Sequence, residues 1–296
     1  MGNRLFNRKG RIVFTPPGAV NGIAVENLRL RFKVEKTLEP NPNKAAVAIY
    51  NMSETNRSLA ESKPIVSSSS DGGKIQTPGY LLVDACYFAD EDLQNKKKKP
   101  PYENVFAGDI SRVITRYEGA DIITEFESGD GEKAFKDARA DMTFGAGANF
   151  KDMLSTLAGK MGLQLGEVSG VKSQSFLNGY TVSGPIRKVF DTLAKTQDLE
   201  WSIQDGKLQF IKAGAAVQKE AVLISPATGL IGSPKKKDQG FEVTSLLQPR
   251  LSPGRLVAIE SKFIKGNVFR VLKVTHEGDT HDQNWYSTIE IAEVTA

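Results

Sequence analysis

The chain has 296 residues with 39 Lys+Arg against 35 Asp+Glu, a formal charge of +4, and it is 40% hydrophobic and 25% charged. That is room for two or three globular domains with a sizeable core; no apolar run approaches the roughly 20 residues of a spanning helix, and MGNRLFNRKGRIVF lacks the apolar stretch of a secretory signal. Cys86 is the only cysteine, which excludes an internal disulfide and a Cys-based metal site, and the mild positive balance does not by itself demand a nucleic-acid partner.

After a polar arm, Arg11–Phe14 reads as a strand that Thr15-Pro16-Pro17-Gly18 must end, because two prolines cannot donate to a ladder. Asn27–Glu35 alternates strictly. Leu28, Leu30, Phe32 and Val34 share one face, and Arg29, Arg31, Lys33 and Glu35 the other. Pro40–Asn43 is a turn, Lys44–Tyr50 the partner strand, and Ser53 the N-cap of a short helix. Ile65–Thr77, with SSSSDGGK, reads as a loop. Tyr80–Phe88 is a strand, and Asp90–Tyr102 is a second polar insertion carrying Lys96–Lys99. Val105–Ile110, Val113–Tyr117 and Asp121–Glu127 resume the sheet.

Residues 149–213 change period. Asn149 caps a helix in which Phe150, Met153, Leu154, Leu157, Ala158 and Met161 fall on one face. Ile186–Gln197 repeats the pattern with Ile186, Val189, Phe190, Leu193 and Ala194, and Pro185 suits its first turn. A strand start follows each helix (Leu163–Leu165 and Leu199–Ile203), so MLSTLAGKMGLQL and VFDTLAKTQDLEW align as a duplicated helix–strand unit. Asp205-Gly206 is a hairpin turn into Lys207–Ile211.

From Ile224 to Ile291 short runs rich in Val, Ile and Phe alternate with turn residues, the rhythm of a small closed or nearly closed β-barrel. Its strands are Glu242–Leu246, Arg255–Ile259, Phe269–His276 and Trp285–Ile291, and Pro249 and Pro253 bracket a connection.

Chemistry-bearing motifs are sparse. HEGDTH gathers His276, Glu277, Asp279 and His281, all possible metal ligands, but Gly278-Asp279 is a turn dipeptide and favours a polar hairpin loop. There is no G-x-S-x-G elbow, H-E-x-x-H or P-loop, and Gly229–Gly232 lacks the Lys-Ser/Thr that a phosphate loop needs. The glycines at 145–147 suit a strand-to-helix turn better than a phosphate site. Asp90, Glu91 and Asp92 lie beside lysines in a polar loop, a poor place to raise a carboxyl pKa by burial. The runs Lys96–Lys99 and Lys235–Lys237 contain no aromatics for base stacking and read as solvated loops, or as an electrostatic lining near a passing polyanion. Cys86 reads as a small buried strand residue. No catalytic, cofactor-binding or metal-ligating residue is expected.

The order of β region, duplicated helix–strand unit and second β region resembles the central hub proteins of contractile phage baseplates. That class includes late-control protein D and the hub half of type VI secretion VgrG spikes. The resemblance is carried by Ala48–Ser53 (AIYNMS), Val105–Ile110 (VFAGDI), Gly179–Gly184 (GYTVSG), Ser225–Pro234 (SPATGLIGSP), Val243–Pro249 (VTSLLQP) and His276–Asp279 (HEGD). The stretches 62–78 and 89–104 look like insertions, and neither a lysozyme segment nor a C-terminal β-helix spike is found.

The resemblance implies a mainly β (α+β) fold with two small β-barrel domains flanking a small α+β domain, divided at 1–143, 144–213 and 214–296. It implies a non-enzymatic hub in the virion's tail baseplate, assembled in the host cytoplasm. Three copies would form a ring that joins the sixfold tail tube to the threefold central spike and surrounds the DNA exit path. The implied partners are a second and third copy of the chain, the tube or tube-adaptor protein, the spike, other baseplate proteins and, transiently, the exiting DNA. The alternative is a peptidoglycan-binding or cell-wall-degrading tail module, suggested by the helix–strand pattern of 149–213.

Overall fold

The computed structural model describes residues 7–68, 74–88, 99–172 and 175–294, and the chain is mainly β. Alternation sets the first strands. β1 (Arg8–Thr15) buries Ile12 and Phe14; β2 (Ile23–Val25) pairs along it. β3 (Leu30–Thr37) buries Leu30, Phe32 and Val34 and exposes Arg31 and Lys33, and it pairs antiparallel with β4 (Lys44–Tyr50). Ser53 caps α1 (Glu54–Ala60), its hydroxyl accepting the Asn56 N–H at 3.4 Å.

The stretch expected to be a loop at 65–77 instead carries a two-stranded hairpin, β5 (Ile65–Ser68) on β6 (Lys74–Thr77). A ladder needs only backbone donors and acceptors, so polar composition hides it. β7 (Tyr80–Tyr87) pairs with both β1 and β8 (Glu103–Glu118), which pairs with β9 (Asp121–Gly129). β8 is one strand where two are expected, because a register shift between Ile110 and Arg112 is absorbed as an irregularity and does not end the ladder. Asp90, Glu91, Asp92 and Lys96–Lys98 lie outside the described residues.

The middle of the chain opens with α2 (Glu132–Asp137), a single short helix that the sequence pattern does not announce. β10 (Arg139–Phe144), β11 (Ala148–Asn149), α3 (Phe150–Lys160), β12 (Gln164–Val168), β13 (Ser175–Phe176), β14 (Tyr180–Pro185), α4 (Ile186–Gln197), β15 (Leu199–Gln204) and β16 (Lys207–Lys212) follow. Asn149 caps α3 by accepting the Lys151 N–H at 2.8 Å. The apolar faces of α3 and α4 close over Trp201 and Phe210, with Phe190 5.3 Å from Trp201 and 5.4 Å from Phe210. In the small sheet β12 and β15, the strands after the two helices, flank β16 on opposite sides, one parallel and one antiparallel. Asp205 and Gly206 turn the β15–β16 hairpin with φ of 53° and 76°, both in the left-handed region.

The last region adds β17 (Val217–Ile224), β18 (Leu230–Lys237), β19 (Gly240–Leu246), β20 (Arg255–Glu260), β21 (Lys265–Asp279) and β22 (Trp285–Glu293). Lys235–Lys237 are therefore not in a loop. They lie exposed on β18, which ends the sheet's path, where lysines discourage pairing with another chain. The HEGDTH expectation is also corrected. His276, Glu277, Gly278 and Asp279 continue β21, and the connection begins only at Thr280. Gly278 serves packing rather than a turn, since a Cβ there would meet the Phe32 ring at 2.3 Å.

Strands from the two ends of the chain merge into one sheet of 13, in the order β18-β19-β22-β21-β3-β4-β9-β8-β7-β1-β2, with β20 and β17 branching from β21. β21 makes this possible by its length. Its first half pairs with β20 and its second half with β3. No ladder among the described residues closes this sheet into a ring. Three main apolar cores lie along it. One sits under β1, β3, β4, β7 and β8, one inside the helix-bearing middle, and one under β17 and β19–β22. Among the described residues no helix is long and apolar enough to cross a membrane.

Candidate functional site

The feature that ties the chain together is the joint where β21 meets β3, running from Lys273 opposite Thr37 to Asp279 opposite Arg31. On its outer face Lys33 lies 3.1 Å from Glu277 and 3.5 Å from Glu35. At the end of the joint Arg29 holds Asp279 at 2.8 Å while stacking on Tyr50, its guanidinium carbon 4.7 Å from the ring centroid. Burial by itself raises the Asp279 pKa. The Arg29 guanidinium and the backbone N–H groups of His281 and Asp282 outweigh it and hold the carboxylate below its ordinary value.

On the inner face His276 is fully buried with Nδ1 2.8 Å from Ser287 Oγ. Ser287 also accepts the Gln248 N–H at 2.9 Å, and with no charged partner on either nitrogen the buried imidazole is neutral. Burial, assisted by the charge of Lys36, lowers the His276 pKa to about 3. Phe32 meets Trp285 edge-on beside it at 5.6 Å.

A second joint fixes the helix-bearing middle to this sheet. The buried Asp130 carboxylate, at the end of β9, accepts the backbone N–H groups of Asp205 at 2.5 Å and Gly206 at 2.8 Å. It thereby caps the β15–β16 turn. Asn43, also buried, donates to Ile203 O at 2.8 Å and Gln204 Oε1 at 3.0 Å and accepts the Thr37 N–H at 2.9 Å. Gln204 Nε2 donates to Thr37 O at 2.7 Å. Lys36, with its side chain only 3% exposed, reaches Asp205 at 2.6 Å. Burial pushes the Asp130 pKa up to about 6 against these hydrogen bonds. Further out, Arg270 on β21 binds Glu200 on β15 at 2.8 Å.

The residues singled out from the sequence do not converge. His276 is buried and His281 is exposed on the connection, bonded to Thr280. Among the described residues no group of three or more His, Cys, Asp or Glu could hold a metal. Cys86 is buried, and burial lifts its thiol to about 11. Gly145–Gly147 form the turn before α3. The clamp residues Lys36, Asn43, Asp130, Gln204 and Asp205 are not predicted. One signal was available: Lys36 continues the core-facing series Leu30, Phe32, Val34, where a lysine needs a buried partner. Chemically, these arrangements hold surfaces in place.

The family described as baseplate hub gp41 matches residues 11–291. No curated protein matches. Among solved structures, the 43 kDa tail protein of prophage MuSo2 from Shewanella oneidensis superposes with a TM-score of 0.61 at 10% identity, covering 96% of each chain. The tail protein from Neisseria meningitidis gives 0.61 at 10% identity over 97% of each. The E. coli c3393 protein, described as a component of the type VI secretion system, gives 0.53 at 9% identity over 90% of this chain and 74% of its own. At such identities these likenesses speak for the fold.

Proposed function

The chain belongs to the baseplate hub gp41 family, and from that premise we propose that it is the non-enzymatic structural hub of a contractile-tail baseplate. In this reading three copies form a ring that joins the sixfold tail tube to the threefold central spike and surrounds the DNA exit path. The observation that carries the reading is the β3–β21 joint. Through it one chain offers two β regions in a fixed relation, so three chains offer six. Closed point-group symmetry is the usual solution for such rings.

The working division of the chain is 1–143, 144–213 and 214–296. The first and last divisions act as the barrel-like bodies of the ring, each over an apolar core, the first of which also takes in Leu247 and Trp285 from the last division. The partners are the tube or tube-adaptor protein, the spike and other baseplate proteins, met during assembly in the host cytoplasm. A charge of +4 suits a wall past which DNA slides without tight binding.

The test is sedimentation of the purified chain alone and with the tube and spike proteins. A trimer that co-sediments with both is expected. A monomer that associates with neither at tens of micromolar overturns the proposal.

A further inference from the structure

The outer face of the last region carries an apolar surface that the chain itself leaves open. Leu223 on β17 pairs with Ala258 on β20, which pairs with Val268 on β21. Val294 follows Glu293, the partner of Phe269, and so continues the row. Leu223, Val268 and Val294 are 42%, 47% and 40% exposed. The next row on the same face is Ala221, Leu256, Arg270 and Ala292, with Leu256 opposite Arg270 and Arg270 opposite Ala292. Its one charge, Arg270, is already bound to Glu200. Phe263, 79% exposed, stands on the turn between β20 and β21 at the edge of these rows.

The opposite faces of these strands hold Ile224, Val257, Ile259, Phe269 and Ile291 in the core. Runs such as AVLI (221–224) and LVAI (256–259) are therefore apolar on both faces, the pattern of strands covered on both sides. A half-solvated sheet would alternate apolar with polar. The middle of the chain covers part of this outer face through the Arg270–Glu200 contact, and the cover stops before Val268. An exposed apolar patch of this kind marks an interaction site.

Building on the ring reading, we propose that this face is the contact between copies of the chain. Its occupant is the neighbouring subunit, because rows with no free charge have the composition of a permanent homo-oligomer interface, which resembles a core cut in half; transient docking surfaces are more polar.

The experiment is native mass by sedimentation of the full chain and of L223D/V268D. Both positions are exposed in the single chain, so circular dichroism is expected to stay that of the wild type, while the thermal midpoint loses the oligomer's contribution and no longer rises with protein concentration. The mass is expected to fall from the oligomer to the 32.3 kDa monomer. A second variant, V268C, places a thiol in the row while Cys86 stays buried. It is expected to react with a maleimide at least tenfold more slowly as an oligomer than in the L223D background. A wild-type oligomer that L223D/V268D leaves intact, or equal labelling rates, overturns this proposal and leaves the ring standing. A monomeric wild type overturns both.

Discussion

His276 and Asp130 are both buried, and protons act on them with opposite sign. The imidazole has a folded pKa of about 3 against an ordinary 6.5. Between those values the unfolded chain binds the extra proton, so stability falls as pH falls, by about 1.4 kcal/mol per unit. Asp130 has a folded pKa of about 6 against an ordinary 3.8. There the folded chain binds the extra proton, and stability rises by the same slope as pH falls from 6 to 3.8. The two nearly cancel from pH 6 to 4, so the wild type is expected to be almost flat in that window. D130N removes one side and is expected to lose roughly 2–3 kcal/mol between pH 6.5 and 4.5. At pH 7 it also costs about 1–3 kcal/mol, since an amide cannot accept both backbone N–H groups. H276L removes the other side and should gain about 2 kcal/mol on the same descent. Urea midpoints across pH 4–7 decide the matter, and parallel curves for all three proteins would refute the assignment.

Elements differ in how visibly they are written. β3 and β22 alternate over their whole length, and α3 and α4 carry their apolar faces at helical spacing, so local patterning is enough. β18 was hidden because an exposed edge strand needs no apolar face, and its Pro234 and Gly232 read as breakers. β21 was cut short by Gly278-Asp279, a turn dipeptide by composition and a packing device in fact. Its test is G278A. The added Cβ would press on the Phe32 ring at 2.3 Å, and overpacking of this kind costs roughly 1–3 kcal/mol. Trimming the ring relieves it, so F32L/G278A is expected to be less destabilised than the sum of its single variants. Additive losses in thermal midpoint would mean that Gly278 is required for some other reason.

At the scale of the molecule the clamp is what no local pattern could reveal, because Asn43, Asp130 and Gln204 meet only after three strands from distant parts of the chain are in place. It also decides whether the chain behaves as one body. The two tryptophans report on the two sides: Trp201 lies in the core of the middle region and Trp285 in the core beneath the β3–β21 joint. Single-tryptophan chains W201F and W285F are expected to unfold at the same urea concentration, since buried hydrogen bonds link the regions and removing them is costly. K36M/N43A cuts the clamp at Asp205 and Gln204. In that background the Trp201 signal is expected to melt before the Trp285 signal, because the middle region keeps its own core but loses the Lys36 and Asn43 part of its hold on the sheet. Coincident transitions after the cut would assign the coupling to the contacts that remain, the Asp130 cap of the β15–β16 turn and Arg270–Glu200, and adding D130N or R270A would then show which of them holds the regions together.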